Sequence, residues 1–270
     1  MNLGICPKRP LVILITTIGL LGTLPASATV IDGLTAQTSA QAGTNAAVTN
    51  GPNLGTTTTS ALSNDIDTQS QANASSFGNA AGPYGASSNG RGIFNATGRF
   101  IRQWDITNDS GVAQNYSFNF FIYGGSISAF DFGVGGNGYA EYQTNIFRDG
   151  AISLFSSTAK ITSNGTLTTS GTTFSGATQS GSIYLWSDTY LTIDLGVLNP
   201  GDFTSVQYDL IGHSFGNYGF VNIDCGDLIP IGIGDGGPPS CPNTGWSQAS
   251  LGDPNTLNTT PIAGIGVATQ

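Results

Sequence analysis

Apolar and polar residues alternate along much of this chain, and wherever the alternation is clear its period is two. In Tyr116-Ser117-Phe118-Asn119-Phe120-Phe121-Ile122-Tyr123, the side chains of Tyr116, Phe118, Phe120 and Ile122 share one face of a strand, and that face is assigned to the core. Upstream, residues 92–106 are rich in aromatic and β-branched side chains and end at the turn cluster Thr107-Asn108-Asp109-Ser110-Gly111. Strands over 142–147 and 151–161 flank Asp149-Gly150, the dipeptide of a type I′ hairpin. Further strands are expected over 183–186 and 191–195, and the turn Asn199-Pro200-Gly201-Asp202 leads into another over 206–210. After the first 28 residues no window of 11 or more carries a helical period. Short strands separated by turn signals predict an all-β fold, an antiparallel two-sheet β-sandwich that is jelly-roll-like.

The same pattern divides the chain. Residues 1–28 read as a signal peptide: Lys8 and Arg9, an apolar run from Leu11 to Leu21, then Leu24-Pro25 and the small-x-small site Ala26-Ser27-Ala28. The apolar run is shorter than the roughly 20 residues of a permanent span, so a secreted or cell-surface protein with no membrane span after cleavage is expected. Residues 29–66 are rich in Thr, Ala, Ser, Asn and Gln without a sustained apolar period, as in Thr56-Thr57-Thr58-Thr59, and predict an exposed arm or weak strands. The sandwich is expected over 67–222. A Gly/Pro-rich loop and tail follow over 223–270, with one last strand near Trp246 to Leu251.

Charge narrows the partners. Of 7 basic residues, 2 leave with the signal peptide, and the remaining 5 face 16 acidic ones, a net charge of −11. Such a chain repels phosphate backbones and anionic lipid heads, which argues against nucleic acid. Yet charged residues are only 9% of the chain, against about 25% in ordinary proteins, so solubility rests on neutral polar groups. Cys225 and Cys241 both survive cleavage and bracket the Gly/Pro-rich segment, which predicts one disulfide in an oxidising compartment. Closing that loop is worth about 3 kcal/mol of unfolded-state entropy. A metal site would need further ligands, and His213 is the sole histidine.

Several motifs invite a chemical reading. Gly212-His213-Ser214-Phe215-Gly216 matches the nucleophile elbow G-x-S-x-G, but no later histidine exists to serve as base and nothing helical follows. A Ser-Lys arrangement would have to recruit Lys160, the lysine left after cleavage. Ser214 is therefore expected to lie at a Gly-flanked strand end or bulge and not to be a nucleophile. Two G-x-G-x-x-G matches, at Gly133, Gly135, Gly138 and at Gly232, Gly234, Gly237, lack the helix that a dinucleotide site requires and read as turns in a chain with 39 glycines. Paired carboxylates for glycoside hydrolysis are conceivable, but Glu141 is the sole glutamate and has no E-x-D-x-E strand around it. Asp65/Asp67 and Asp224/Asp227 near Asp235 could hold Ca²⁺, but none completes an EF-hand loop, and turn aspartates are the simpler reading. No catalytic set, cofactor or metal is expected. Tyr184 and Trp186 lie on the opposite phase of their strand from Ile183 and Leu185. If the rings are the set that faces solvent, they are ligand-binding candidates able to stack on sugar faces; the alternative is core.

Residues Asn73-Ala74-Ser75, Tyr116-Ser117-Phe118-Asn119-Phe120, Asp194-Leu195-Gly196-Val197-Leu198-Asn199-Pro200-Gly201-Asp202 and Gly252-Asp253-Pro254 together resemble bacterial surface and matrix proteins with PEP-CTERM sorting tails. The resemblance spans about residues 67–254 and carries no catalytic signature. In that family the chain continues into Pro-Glu-Pro, an apolar span and an Arg cluster, and here Ala268-Thr269-Gln270 stand instead. The resemblance implies a secreted, non-catalytic structural or adhesive protein of the cell surface or extracellular matrix, with extracellular polysaccharide or other surface polymers as partners. The alternative is a carbohydrate-binding module, and after it a secreted hydrolase. What separates the first two is whether aromatic rings line an exposed sheet face.

Overall fold

The computed structural model describes residues 28–54, 58–78, 84–219, 244–251 and 264–268. Among them the chain forms strands and no helix. The first six are β1 (Ala28–Ala42), β2 (Val48–Leu54), β3 (Thr58–Asp65), β4 (Ser70–Gly78), β5 (Tyr84–Arg91) and β6 (Ile93–Asn108). Next come β7 (Gln114–Ile122), β8 (Gly125–Phe130), β9 (Gly136–Arg148), β10 (Ile152–Thr162), β11 (Leu167–Gly171) and β12 (Thr178–Ser180). The last are β13 (Ile183–Trp186), β14 (Thr189–Leu198), β15 (Phe203–Tyr218), β16 (Trp246–Leu251) and β17 (Gly264–Ala268).

They assemble into a first sheet of order β11-β10-β9-β15-β6-β1-β2, a second of order β12-β13-β8-β16-β5-β4-β3, and a third of order β14-β7-β17. The described strand pairs are antiparallel, as expected of a β-sandwich. The second and third sheets are joined end to end. Trp186 pairs with Gly125 and Thr189 pairs with Ile122, so one register runs through both ladders across Tyr123-Gly124 and Ser187-Asp188. At the joint the Asp188 carboxylate accepts the Gly124 amide at 2.7 Å. Together the two sheets form one layer that packs on the inner face of the first.

Two kinds of core fill the space between the layers. Over one part the filling is aromatic: Phe118 packs on Trp104 at 4.9 Å between ring centroids, and Phe120 packs on Phe155 at 5.1 Å and on Tyr208 at 5.7 Å. Tyr116, Phe118, Phe120 and Ile122 are all buried, as their period-two spacing predicts. Elsewhere the filling is small. Ala40, Ala42, Ala61, Ala72, Ala74 and Ala96 pack around Phe94 and Tyr218. With so little side-chain volume between them, the layers come close enough for the Ser76 hydroxyl of β4 to donate directly to the Arg99 carbonyl of β6 at 2.6 Å. Sheets separated by ordinary side chains stand about 10 Å apart, beyond the reach of a serine.

Several expectations change here. Within residues 29–66 the described stretches form β1, β2 and β3 and not an exposed arm. Along its length β1 pairs with β6, from Ala28↔Asn108 to Ala42↔Phe94, and buries Ala36, Thr38 and Ala40. Its alternating residues are small because the facing layer is close, so a hydrophobicity pattern tuned to large side chains passes over it. Part of the expected tail is also sheet, since β17 pairs with β7. Residues 246–251 form the expected strand, and it sits in the middle of the second sheet. The Asp149-Gly150 hairpin forms with both residues at positive φ, 52° and 72°, and Ala151 N donates to Arg148 O at 3.2 Å. Residues 1–27 of the expected signal peptide 1–28, and both Cys225 and Cys241, lie outside the described residues.

Candidate functional site on the outer face of the first sheet

Strand alternation places the outward residues of four adjacent strands in register. On β9 they are Tyr139, Glu141 and Gln143; on β15 they are Phe215, His213 and Ile211. Glu141 pairs with Lys160 of β10 on one side and with His213 of β15 on the other, and His213 pairs with Thr97 of β6. The sole histidine, the sole glutamate and one of the two lysines of the chain therefore stand in a single row across three strands. In a chain so poor in charge, this is a concentration of its scarcest chemistry.

The row is built around one ring. Tyr139 stacks on its register partner Phe215 at 5.4 Å with 25° between planes, and meets the His213 ring edge-on at 5.2 Å. The Lys160 ammonium lies 3.6 Å above the Tyr139 ring, a cation–π contact. His213 Nε2 is 2.9 Å from Asn95 Oδ1, to which it donates in the tautomer protonated there. The Gln143 amide donates to Glu141 Oε1 at 2.7 Å. Among the described residues the second Glu141 oxygen, the Lys160 N–H groups and the Tyr139 hydroxyl have no hydrogen-bond partner. Elsewhere on the same face two polar pairs satisfy each other. Arg99 grips Asp209 with two bonds, of 3.0 Å and 2.6 Å, and Ser156 donates to Asn145 at 3.0 Å.

Burial lowers the His213 pKa below its usual value, and Lys160 lowers it further against the opposing pull of Glu141. The imidazole is therefore neutral at pH 7. Burial also raises the Tyr139 hydroxyl, and Glu141 adds to that shift. A depressed histidine pKa has a consequence for folding. Below about pH 6.5 the unfolded chain takes up a proton that the folded one resists. Stability is thus full above that pH and declines as pH falls through the folded-state pKa. Urea denaturation at pH 8 and pH 5 is expected to show a smaller loss in His213→Gln than in the wild type; equal losses would contradict this environment.

Two catalytic geometries considered from the sequence are not formed by these residues. Ser214 lies inside β15 with 0% exposure and faces the core, whereas His213 faces outward. The next carboxylate along β15 is Asp209, four residues from His213 and so about 13 Å along the strand. That exceeds the roughly 5–9.5 Å of a glycosidase carboxylate pair, and Asp209 is held by Arg99. Gly133 and Gly135 lie in the loop between β8 and β9, whereas Gly138, also expected in a turn, is a residue of β9. Gly232, Gly234, Gly237, Asp224, Asp227 and Asp235 fall outside the described residues. Asp65 accepts backbone N–H groups from Thr44 and Asp67, each at 3.0 Å, and from Thr68 at 3.3 Å. Those bonds, the one from Thr44 foremost, hold its carboxyl below the usual range and commit its oxygens to a turn.

Tyr184 and Trp186 require correction as ligand-binding residues. Each is only 4% exposed, while Leu185 between them is 46% exposed. Trp186 packs on Tyr142 at 4.6 Å, and its indole N–H donates to the Tyr123 carbonyl at 3.0 Å. Both phases of Ile183–Trp186 are apolar, so alternation could not choose between them. The Lys160–Glu141–His213 row escaped sequence reasoning for a different reason. Each residue was visible alone, but β9 and β15 lie far apart in the chain, and their register is a tertiary fact. Compared with family models, curated proteins and solved structures, the chain matches none of them.

Proposed function

We propose that this chain is an exported, non-catalytic adhesive or structural protein of the cell surface or extracellular matrix, and that the outer face of its first sheet holds polysaccharide. The observation that carries the reading is the Lys160–Glu141–His213 row beside Tyr139 and Phe215. There the strands carrying an ammonium, a carboxylate and a neutral imidazole lie about 4.8 Å apart, and a phenol stands about 6.8 Å along β9 from the carboxylate. This spacing suits the alternating donors and acceptors of sugar hydroxyls. The row lies along the outward face of a sheet, which accommodates an extended polymer more readily than a small substrate. Support also comes from the export signal at residues 1–28, the neutral polar composition and the resemblance of residues 67–254 to surface and matrix proteins.

A glycan array and polysaccharide pull-down with the mature protein test the reading. Binding is expected at pH 7, and the double variant Glu141→Gln/Lys160→Met should weaken it about tenfold, the equivalent of about 1.4 kcal/mol. Its circular dichroism should be unchanged, because methionine keeps the stem over Tyr139. No binding to any glycan, or binding indifferent to the double variant, would refute the assignment.

A further inference from the structure

We infer that the outer face of the third sheet is a second binding face, for a neutral polysaccharide chain, and that the protein bridges two chains held on opposite sides of the sandwich. This rests on the reading of the first sheet given above. In β7 the core phase is filled by Tyr116, Phe118, Phe120 and Ile122, so Phe121 stands on the outward phase, half-buried. It meets Tyr123 edge-on at 4.8 Å, and its register partner on β14 is Tyr190, which is 54% exposed. Aromatic side chains on the outward phase of two paired strands form an apolar strip where an ordinary solvent face is polar.

Hydrogen-bonding groups continue the strip. The next outward pair is Thr192 with Asn119, whose side chains bond at 2.7 Å, and the one after it is Asp194 with Ser117. On the other side of β7, β17 has glycine at the positions paired with Asn119 and Ser117. Successive outward pairs are about 6.8 Å apart along the strands. Rings followed by hydroxyl and amide groups match a pyranose chain, whose C–H faces stack on aromatic rings while its hydroxyls donate and accept. The face from Asn115 to Tyr123 and from Tyr190 to Val197 carries one carboxylate, Asp194, and no cation, which selects a neutral polymer over an anionic one. A second copy of this chain is a poorer occupant. A stable protein interface buries about 800 Å² per partner around an apolar centre, and here polar side chains share a strip that is only three strands wide.

The arrangement of layers makes the two faces oppose each other. Phe118 packs on Trp104 and on Tyr208, at 6.2 Å from the latter, so the third sheet turns its inner face to the inner face of the first. Their outer faces therefore point away from one another, and one molecule can hold two chains but cannot easily close both faces on the same short segment.

The experiment mixes the mature protein with galactomannan and with hydroxyethyl cellulose, and reads binding by affinity electrophoresis and bridging by solution viscosity. Wild type is expected to bind and to raise viscosity. Tyr190→Ala/Phe121→Ser and Glu141→Gln/Lys160→Met should each still bind, about tenfold more weakly, and each lose the viscosity rise. If wild type binds neither polymer, both readings fall. If Tyr190→Ala/Phe121→Ser binds and thickens both solutions as wild type does, the second face alone is overturned. Sedimentation velocity of the protein without polymer supplies the remaining arm: a wild-type dimer that dissociates in Tyr190→Ala/Phe121→Ser would assign the strip to a second copy and overturn the proposal.

Discussion

Gly98→Ala is expected to destabilise the protein by about 3 kcal/mol or more, the upper end for adding one carbon to a packed core. Gly98 lies on the inner face of β6, where a Cβ would stand 2.3 Å from the Ser75 carbonyl oxygen and 2.5 Å from that of Ser87. Both are backbone atoms, on two different strands of the facing sheet, so no side chain can swing aside. Relief requires moving the layers apart, which breaks the Ser76–Arg99 bond and opens the alanine packing on either side. For a domain of this size each kcal/mol lowers Tm by about 2–4 °C. Thermal denaturation should therefore show a drop of roughly 6–12 °C. Gly212, paired with Gly98 on β15, is the control. A Cβ there would meet nothing nearer than the Ala86 carbonyl oxygen at 3.2 Å, so Gly212→Ala should cost under about 1.5 kcal/mol. Equal effects at the two glycines would mean that the close approach of the layers is wrong.

Phe118→Ala should cost about 3–5 kcal/mol, since it removes a fully buried ring and leaves a cavity that its rigid neighbours cannot fill. Trp104, Phe120 and Tyr208 would all lose contact, and with them the seam between the first and third sheets. Phe121, three residues on, is on the outward phase, and Phe121→Ala should stay within about 0.5 kcal/mol of wild type. Urea midpoints for the two variants measure the contrast directly. A large loss at Phe121 would show that its ring is core, and would withdraw the surface strip on which the proposed bridging rests.

The amino-acid sequence by itself determined the class of fold and much of its local grammar, because both are properties of near neighbours in the chain. The alternation at Tyr116–Ile122 named the buried face of β7, Asp149-Gly150 placed the β9–β10 turn, and residues 246–251 were legible as a strand. Where side-chain contrast is low, the same reasoning lost its signal. Ala36, Thr38 and Ala40 of β1 bury as surely as any leucine would, but only because another sheet comes close enough to cover them. At Ile183–Trp186 both phases are apolar, and what decided between them was packing: Trp186 found Tyr142 for its ring and the Tyr123 carbonyl for its N–H. The rows on the outer faces belong wholly to tertiary structure. Lys160 and Glu141 are brought together by a hairpin, but His213 joins them only because β15 inserts between β9 and β6 in a register that no local pattern encodes. Local chemistry settles which residues a strand turns inward. Long-range pairing settles which of the remaining ones meet, and a binding face is made of those.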